Sequence, residues 1–158
     1  MLTFGAVAEG HALRGALEAW LSRNALTLVR HRSTEDLPGS YWGAPEAGIE
    51  ADQLHVRDDT PLHSLLHEAC HIVCARAAGR PDFARDAGSD ESEEDAVCLL
   101  QLMVADGLPG VGWRRLAVDM DAWGYRFMAG STAAWFRCDS AAARRWLDDH
   151  GLVLAVAA

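Results

Sequence analysis

Apolar and polar positions alternate with two different periods along the chain, and each period predicts its own kind of element. In residues 9–23 the apolar side chains recur every three or four positions, which is typical of an amphipathic helix that ends at Asn24. Two shorter stretches, residues 25–30 and residues 48–57, predict strands because their apolar residues alternate, with Leu54 and Val56 facing inward. The loop between these strands is rich in glycine, proline and turn-forming residues.

The clearest helical pattern covers residues 62–76, with the sequence LHSLLHEACHIVCAR. Apolar side chains return at helical spacing through this stretch and predict one buried face. Thr60 has the chemistry of an N-cap, Pro61 suits the first helical position, and Gly79 followed by Pro81 predicts the end. The apolar positions are Leu62, Leu65, Leu66, Ala69, Ile72, Val73 and Ala77.

Helices are also predicted over most of the remaining chain. After a polar loop at residues 79–88, residues 89–107 predict a helix with a very acidic start, in which Ser92 and Asp95 fit a capping box. The rest of that helix is apolar and predicts core. Three further helices are predicted at residues 111–128, 131–136 and 139–150, and the apolar tail from residue 152 predicts a short strand or extension.

Residues 67–71 read HEACH, which is an HExxH motif. Residues four apart on a helix lie on one face, so His67 and His71 can both turn an imidazole toward one metal ion. Glu68 lies beside that face, where it can hold a water for the metal. This is the arrangement of the zinc metallopeptidases. These polar groups would be odd core residues on a helix lined with leucine and isoleucine, because buried charge needs a partner.

A third metal ligand has to come from outside the motif, because a catalytic zinc site generally has three protein ligands and one position for water. The following sequence, IVCARAAGRPDF, lacks the glycine and histidine of the metzincin extension at the required spacing. A carboxylate from the acidic start of the next helix is the other common solution. Glu94 is the preferred candidate, because it shares one helix face with Cys98 and Gln101. Glu93 and Asp95 remain open as the second and third choices.

The sequence HEACH followed by EEDAVCLLQLM resembles the gluzincin plan of an HExxH helix and a glutamate helix. With its small size and the strand LHVR before the motif, the chain is similar to one-domain peptidases of the ImmA/IrrE type and to the minigluzincins. The resemblance spans residues 53–109, although residues 95–97 read DAV where the ImmA/IrrE type usually has Glu-Ala-Asn. It implies that His67 and His71 bind zinc and that Glu68 is the general base of a peptidase acting on a peptide or protein.

Hydrolysis at such a site uses zinc to lower the pKa of a water from about 16 to about 7. Glu68 takes the proton as the water attacks the amide carbonyl and then passes it to the leaving nitrogen. An extended substrate can add itself to a sheet edge near the strand that precedes the motif. The oxyanion needs a further donor, and the candidates are Tyr125, His55, His63 and His150.

Several other conspicuous residues are interpreted as structural. His63 continues the register of His67 and His71, but positions eight apart on a straight helix are separated by about 12 Å, so His63 is interpreted as a cleft or surface residue. Tyr41 and Trp42 are interpreted as cover for the core. The cysteines are interpreted as reduced, small buried hydrophobes; they are Cys70, Cys74, Cys98 and Cys138.

The composition of the chain mainly argues against certain kinds of binding partner. The 158 residues carry a formal net charge of −9, which argues against non-specific nucleic-acid binding. The N-terminus lacks the basic start and long apolar run of a signal peptide, and no stretch approaches the roughly 20 apolar residues of a membrane span. We therefore expect a cytoplasmic protein with no nucleic-acid or membrane partner; the pattern predicts no oligomeric state.

Together these patterns predict one zincin-like domain over residues 1–158 with an α+β fold. A small mixed or antiparallel sheet from residues 25–30 and 49–57 packs on the HExxH helix and the glutamate helix, and the C-terminal third is helical. The predicted function is a zinc-dependent metallopeptidase with His67, His71 and Glu94 as metal ligands and Glu68 as base. The alternative is a catalytically inactive zincin scaffold that binds metal or regulates a partner.

Overall fold

Seven α-helices and one three-stranded sheet make up the described part of the chain, which is residues 1–80 and 91–152 of a computed structural model. The predicted α+β class is therefore confirmed. The predicted loop from residue 81, the first two residues of the predicted helix 89–107 and the tail from residue 153 lie outside the described residues. The elements are α1 Phe4–Glu9, α2 His11–Arg23, β1 Thr27–Arg30, β2 Gly48–Glu50, β3 Gln53–Val56, α3 Leu62–Ala77, α4 Glu91–Asp106, α5 Gly112–Trp123, α6 Thr132–Cys138 and α7 Ala141–Asp149.

The sheet is mixed, with the strand order β1-β3-β2. β1 runs parallel to β3 and β2 runs antiparallel to it. Leu54 and Val56 of β3 are fully buried, as predicted, and the sheet packs on α3. β3 directly precedes the HExxH helix but is the central strand, so both of its edges are paired. A substrate strand would therefore have to add to β1 or β2 and not to β3.

The other face of the sheet is covered by the chain between β1 and β2. His55 of β3 is 5% exposed, and its Nδ1 lies 2.8 Å from Nε2 of His31. Gly48 pairs with His55 in the sheet, and a Cβ at Gly48 would collide with the carbonyl oxygen of Pro38. Gly39 has a φ of 70° and lies against the backbone of Ile49. Glycine at these two positions therefore allows one backbone segment to cross directly over another.

We expect the substitution Gly48→Ala to lower the free energy of unfolding by about 1–3 kcal/mol, because the added methyl group meets backbone that cannot swing away. Gly15→Ala is the matched control, since Gly15 is an exposed position inside α2 with nothing near its would-be Cβ. That control should raise the stability by about 0.5–1 kcal/mol. Urea unfolding of the two variants measures both effects. Equal free energies of unfolding for Gly48→Ala and Gly15→Ala would contradict the close approach of the two backbone segments.

The start of α3 is held by the N-terminal segment and not by Thr60. The backbone N–H of Leu62 donates to the carbonyl oxygen of Leu2 at 2.9 Å, and Phe4 N donates to Thr60 O at 2.8 Å. The Thr60 hydroxyl instead accepts from Arg57 N, and Pro61 occupies the N-cap position. The predicted Thr60 cap is therefore wrong, because a distant backbone carbonyl satisfies one of the free amides of the first turn.

Other predicted boundaries also change. Ser92 lies inside α4, so the predicted capping box of Ser92 and Asp95 is wrong. α5 ends at Trp123, five residues earlier than predicted, where Gly124 takes a φ of 122° that breaks the helix.

Tyr41 and Trp42 are 67% and 78% exposed, so they do not cover the core as predicted.

α3 and α4 form the centre of the molecule. They pack against each other, and α4 also contacts α5 and α7. Their shared core is made of fully buried leucines such as Leu65, Leu66, Leu99 and Leu102. Within residues 1–80 and 91–152, every helix falls short of the length or the apolar character that crossing a bilayer requires.

Candidate metal centre

The two histidines of the HExxH motif lie one turn apart on α3 and face each other. Nε2 of His67 is 3.0 Å from Nε2 of His71, and the rings meet edge to face with centroids 4.6 Å apart. Both side chains are mostly buried. Four-residue spacing on a helix therefore brings the two imidazole nitrogens together, as the sequence predicts.

Glu94 from the first turns of α4 completes a cluster of three residues. Its Oε1 lies 3.2 Å from Nε2 of His67, and its Oε2 lies 3.3 Å from Nε2 of His71. One carboxylate thus spans both ring nitrogens across the interface of α3 and α4. The packing of these two helices is what positions the acid, since Glu94 and His71 are 23 residues apart in the sequence.

The other two candidate acids lie elsewhere. Glu93 is buried and forms an ion pair with Arg80. The pKa of the Asp95 carboxyl is raised by burial and by the neighbouring negative charges of Glu91, Glu94 and Asp139. Of the three acids considered in the sequence, Glu94 is the one within 3.5 Å of both histidines.

Cys98 adds a sulfur atom to this cluster. Donor atoms of His67, Glu94 and Cys98 all lie within 4.8 Å of one another, a spacing that could hold a metal ion. The residue is 4% exposed, in agreement with its interpretation as buried, but its neighbours are polar as well as apolar. The sequence pattern placed Cys98 on the face of Glu94 and interpreted it as a small buried hydrophobe, not as a metal ligand.

Gln101, one further turn along α4, orients His67. Nδ1 of His67 donates to Oε1 of Gln101 at 2.8 Å, and Nε2 of Gln101 donates to Sδ of Met120 at 2.8 Å. Gln101 is fully buried, so its amide cannot exchange these partners for water. Because Nδ1 carries the proton, Nε2 of His67 is left to face Glu94 and His71. A hydrogen bond of this kind typically fixes the tautomer of a metal-binding histidine.

We expect Gln101→Leu to weaken zinc binding by about 10–100-fold, because His67 loses the partner that holds its ring and tautomer. The matched control is Gln53→Leu, at an exposed position of β3. Competition titration with a chromophoric chelator measures the zinc affinity of both variants. If Gln101→Leu binds zinc as tightly as the control does, Gln101 does not position His67.

The electrostatics of the histidine pair are asymmetric. Burial disfavours the charged form of His67, but hydrogen bonds to Cys98 and Glu94 act in the opposite direction, and its pKa is raised above the ordinary value. Burial and the charge of His67 lower the pKa of His71 to about 4, against the opposing effect of Glu94. The two rings therefore differ in their affinity for a proton, although they lie one turn apart.

Tyr125 is the oxyanion candidate that lies beside the cluster. Its ring stands edge-on to the rings of His67 and His63, with both centroid distances 5.7 Å. Burial raises the pKa of the Tyr125 hydroxyl against the opposing effect of His67, and the carboxylates of Glu68 and Glu94 add to the increase. The phenol is thus neutral and keeps its proton as a donor. The Glu68 carboxylate, which is partly exposed, lies close enough to Tyr125 to act on it electrostatically.

The remaining oxyanion candidates have other surroundings. His63 is 1% exposed, so its interpretation as a cleft or surface residue is wrong; its ring packs near Trp123. His55 contacts His31 on the far face of the sheet. His150 stacks on Trp146 at the end of α7. None of the contacts described for these three joins them to Glu94.

Comparison with known proteins gives no relative from which a role could be transferred. No protein-family model matches the chain, and no curated protein or solved structure matches it either. The chemistry of the cluster therefore has to be argued from its own atoms. Two imidazole nitrogens, a carboxylate and a thiol in a mostly buried cluster are groups that bind a divalent transition metal.

Proposed function

We propose that this chain is a zinc-dependent metallopeptidase with a zincin-like site. The observation that carries the proposal is the meeting of His67, His71 and Glu94 at distances of 3.0–3.3 Å between their donor atoms. The HExxH motif supplies Glu68 next to this cluster. Support for a gluzincin-like plan comes from the acid, which is contributed by the helix that follows the HExxH helix.

The donor set fits zinc in kind and in spacing. Zinc prefers nitrogen, oxygen and sulfur ligands in tetrahedral geometry, with bonds to nitrogen of about 2.0–2.1 Å. Ligand atoms around such an ion are separated by roughly 3.3 Å, which follows from that bond length and the tetrahedral angle. The separations in this cluster are close to that value, so an ion can enter with small side-chain movements.

Each residue has a separate task in the proposed reaction. The zinc ion, when bound, supplies the Lewis acidity that makes water a nucleophile at neutral pH. Glu68 accepts the proton of the attacking water and delivers it to the leaving amide nitrogen. Tyr125 offers a phenolic hydrogen to the developing oxyanion, since its raised pKa keeps the hydroxyl protonated. Gln101 holds the ring of His67 through the hydrogen bond at Nδ1.

A non-catalytic metal-binding protein is the second candidate, and Cys98 is the observation that favours it. Structural zinc sites use four protein ligands, whereas catalytic sites leave one position open. A thiol beside the cluster offers a fourth ligand. The scaffold would then hold a metal without hydrolysing anything, or would serve a regulatory partner.

Hydrolysis of a mixed peptide library by the purified full-length protein, followed by mass spectrometry, distinguishes the two functions. The proposal expects cleavage that needs zinc, stops with a chelator and returns when zinc is restored. One bound equivalent of zinc with no cleavage of any peptide would support the binding protein instead. Unfolding of the chain on removal of the metal would also favour a structural site.

A further inference from the structure

Cys98 is the one member of the cluster to which the proposed peptidase mechanism gives no task. Its Sγ lies 4.0 Å from Oε1 of Glu94, and it belongs to the group whose donor atoms lie within 4.8 Å of one another. Apolar packing does not explain a sulfur that borders a carboxylate and an imidazole. Thiolate sulfur is, however, among the preferred ligands of zinc.

Cys98 follows Glu94 on α4 at the same spacing at which His71 follows His67 on α3. His67 and His71 are four residues apart on α3, and Glu94 and Cys98 are four residues apart on α4. Residues with this spacing share one helix face. Because α3 and α4 pack together, the two pairs lie across one helix interface, where His67, Glu94 and Cys98 have donor atoms within 4.8 Å of one another. Facing helices of bundles build metal sites in this way.

We propose that Cys98 is a fourth ligand of the ion held by His67, His71 and Glu94, and that its thiolate competes with water for the open position. This inference rests on the metal centre of the proposed function. Cys98 would hold the ion as a thiolate, and the proton of its thiol would pass to solvent on binding. A centre with four protein ligands has no place for water, so the protein hydrolyses peptides slowly until the sulfur moves away.

The other cysteines provide internal controls. Cys70 is completely buried on α3, yet it is not among the residues of the donor group. Cys138 is exposed at the end of α6, so its interpretation as a small buried hydrophobe is wrong. A Cys70→Ala variant therefore removes another buried sulfur without removing a proposed ligand.

Cobalt substitution tests the sulfur ligand directly. The full-length protein is loaded with one equivalent of Co²⁺, and the sulfur-to-cobalt charge-transfer absorption is recorded for the wild type, Cys98→Ser and Cys70→Ala. We expect the band in the wild type and in Cys70→Ala, and its complete loss in Cys98→Ser. A wild-type complex without the band, or a Cys98→Ser complex that keeps it, overturns the proposal.

X-ray absorption of the zinc-loaded wild type covers the case in which Cys98→Ser does not fold. The proposal expects one sulfur at about 2.3 Å in addition to the shorter nitrogen and oxygen ligands. A shell of nitrogen and oxygen alone overturns it.

Peptide hydrolysis provides the functional arm of the test. In the Cys98→Ala variant, kcat should rise severalfold, while Cys70→Ala should leave it unchanged; a kcat that does not rise overturns the competition with water. The failures of the two proposals are distinguishable. Zinc–sulfur ligation with no hydrolysis in the wild type or in Cys98→Ala contradicts the peptidase function but supports Cys98 as a ligand. Zinc-dependent hydrolysis without a sulfur ligand supports the peptidase function but contradicts the role of Cys98.

Discussion

Glu68→Gln is expected to abolish peptide hydrolysis while leaving the metal in place. The amide of glutamine keeps the shape of the side chain but cannot take a proton from water, so kcat should fall by about 10²–10⁴-fold. The zinc content should stay at one equivalent, because the proposed ligands are His67, His71 and Glu94. Hydrolysis of a fluorogenic peptide and metal analysis on the same preparation give both quantities.

The control for this substitution is Glu91→Gln, which removes an exposed carboxylate from the first turn of α4. Its kcat and zinc content should equal those of the wild type. If Glu68→Gln retains wild-type hydrolysis, the cleavage does not use the HExxH base, and a contaminating peptidase or a different site has to be sought.

Glu94→Gln is expected to reduce zinc binding far more than the equivalent substitutions at the two neighbouring acids. Glutamine at this position removes the negative charge beside both histidines, and a neutral amide oxygen is a weaker ligand for zinc. Glu93→Gln should keep the zinc and instead lose the ion pair with Arg80. Asp95→Asn should change neither the metal content nor that ion pair.

Isothermal titration of the three variants with zinc compares them directly, and thermal unfolding without zinc separates loss of the ligand from loss of the fold. The ion pair of Glu93 and Arg80 is buried on the glutamate side, so Glu93→Gln should also lower the stability in the unfolding experiment. If Glu93→Gln or Asp95→Asn loses zinc while Glu94→Gln keeps it, the assignment of the acid is wrong.

Local patterns predicted the elements that matter most for the cluster. The apolar spacing in residues 62–76 predicted α3 to within one residue, and helical spacing alone predicted that His67 and His71 share a face. The preference for Glu94 came from its shared face with Cys98 and Gln101, and all three do lie beside His67. Periodicity is informative here because one face of each helix is deeply buried.

Tertiary contacts explain what the pattern did not predict. Local spacing does not report which distant atom completes a hydrogen bond, so the Thr60 cap was assigned where the Leu2 carbonyl acts instead. The burial of His63 depends on the packing of Trp123 from α5, which lies far away in the sequence. The central position of β3 depends on the order of the strands in the sheet, and an HExxH motif carries no information about that order.

Roles in the cluster were harder to predict than membership in it. Gln101 was visible as a polar residue on an otherwise apolar helix, and its burial is the signal that a hydrogen-bond partner exists. Cys98 gave no such signal, because buried cysteine is ordinary in a core. The position of Cys98 beside donor atoms of both His67 and Glu94 distinguishes it from Cys70.

Anomalous diffraction from zinc in crystals of the full-length protein tests the central claim most directly. The account predicts one strong peak within about 2.0–2.2 Å of Nε2 of His67, Nε2 of His71 and a carboxylate oxygen of Glu94. A zinc-loaded protein whose peak lies away from these three side chains, or whose ion binds the histidines without Glu94, would contradict it.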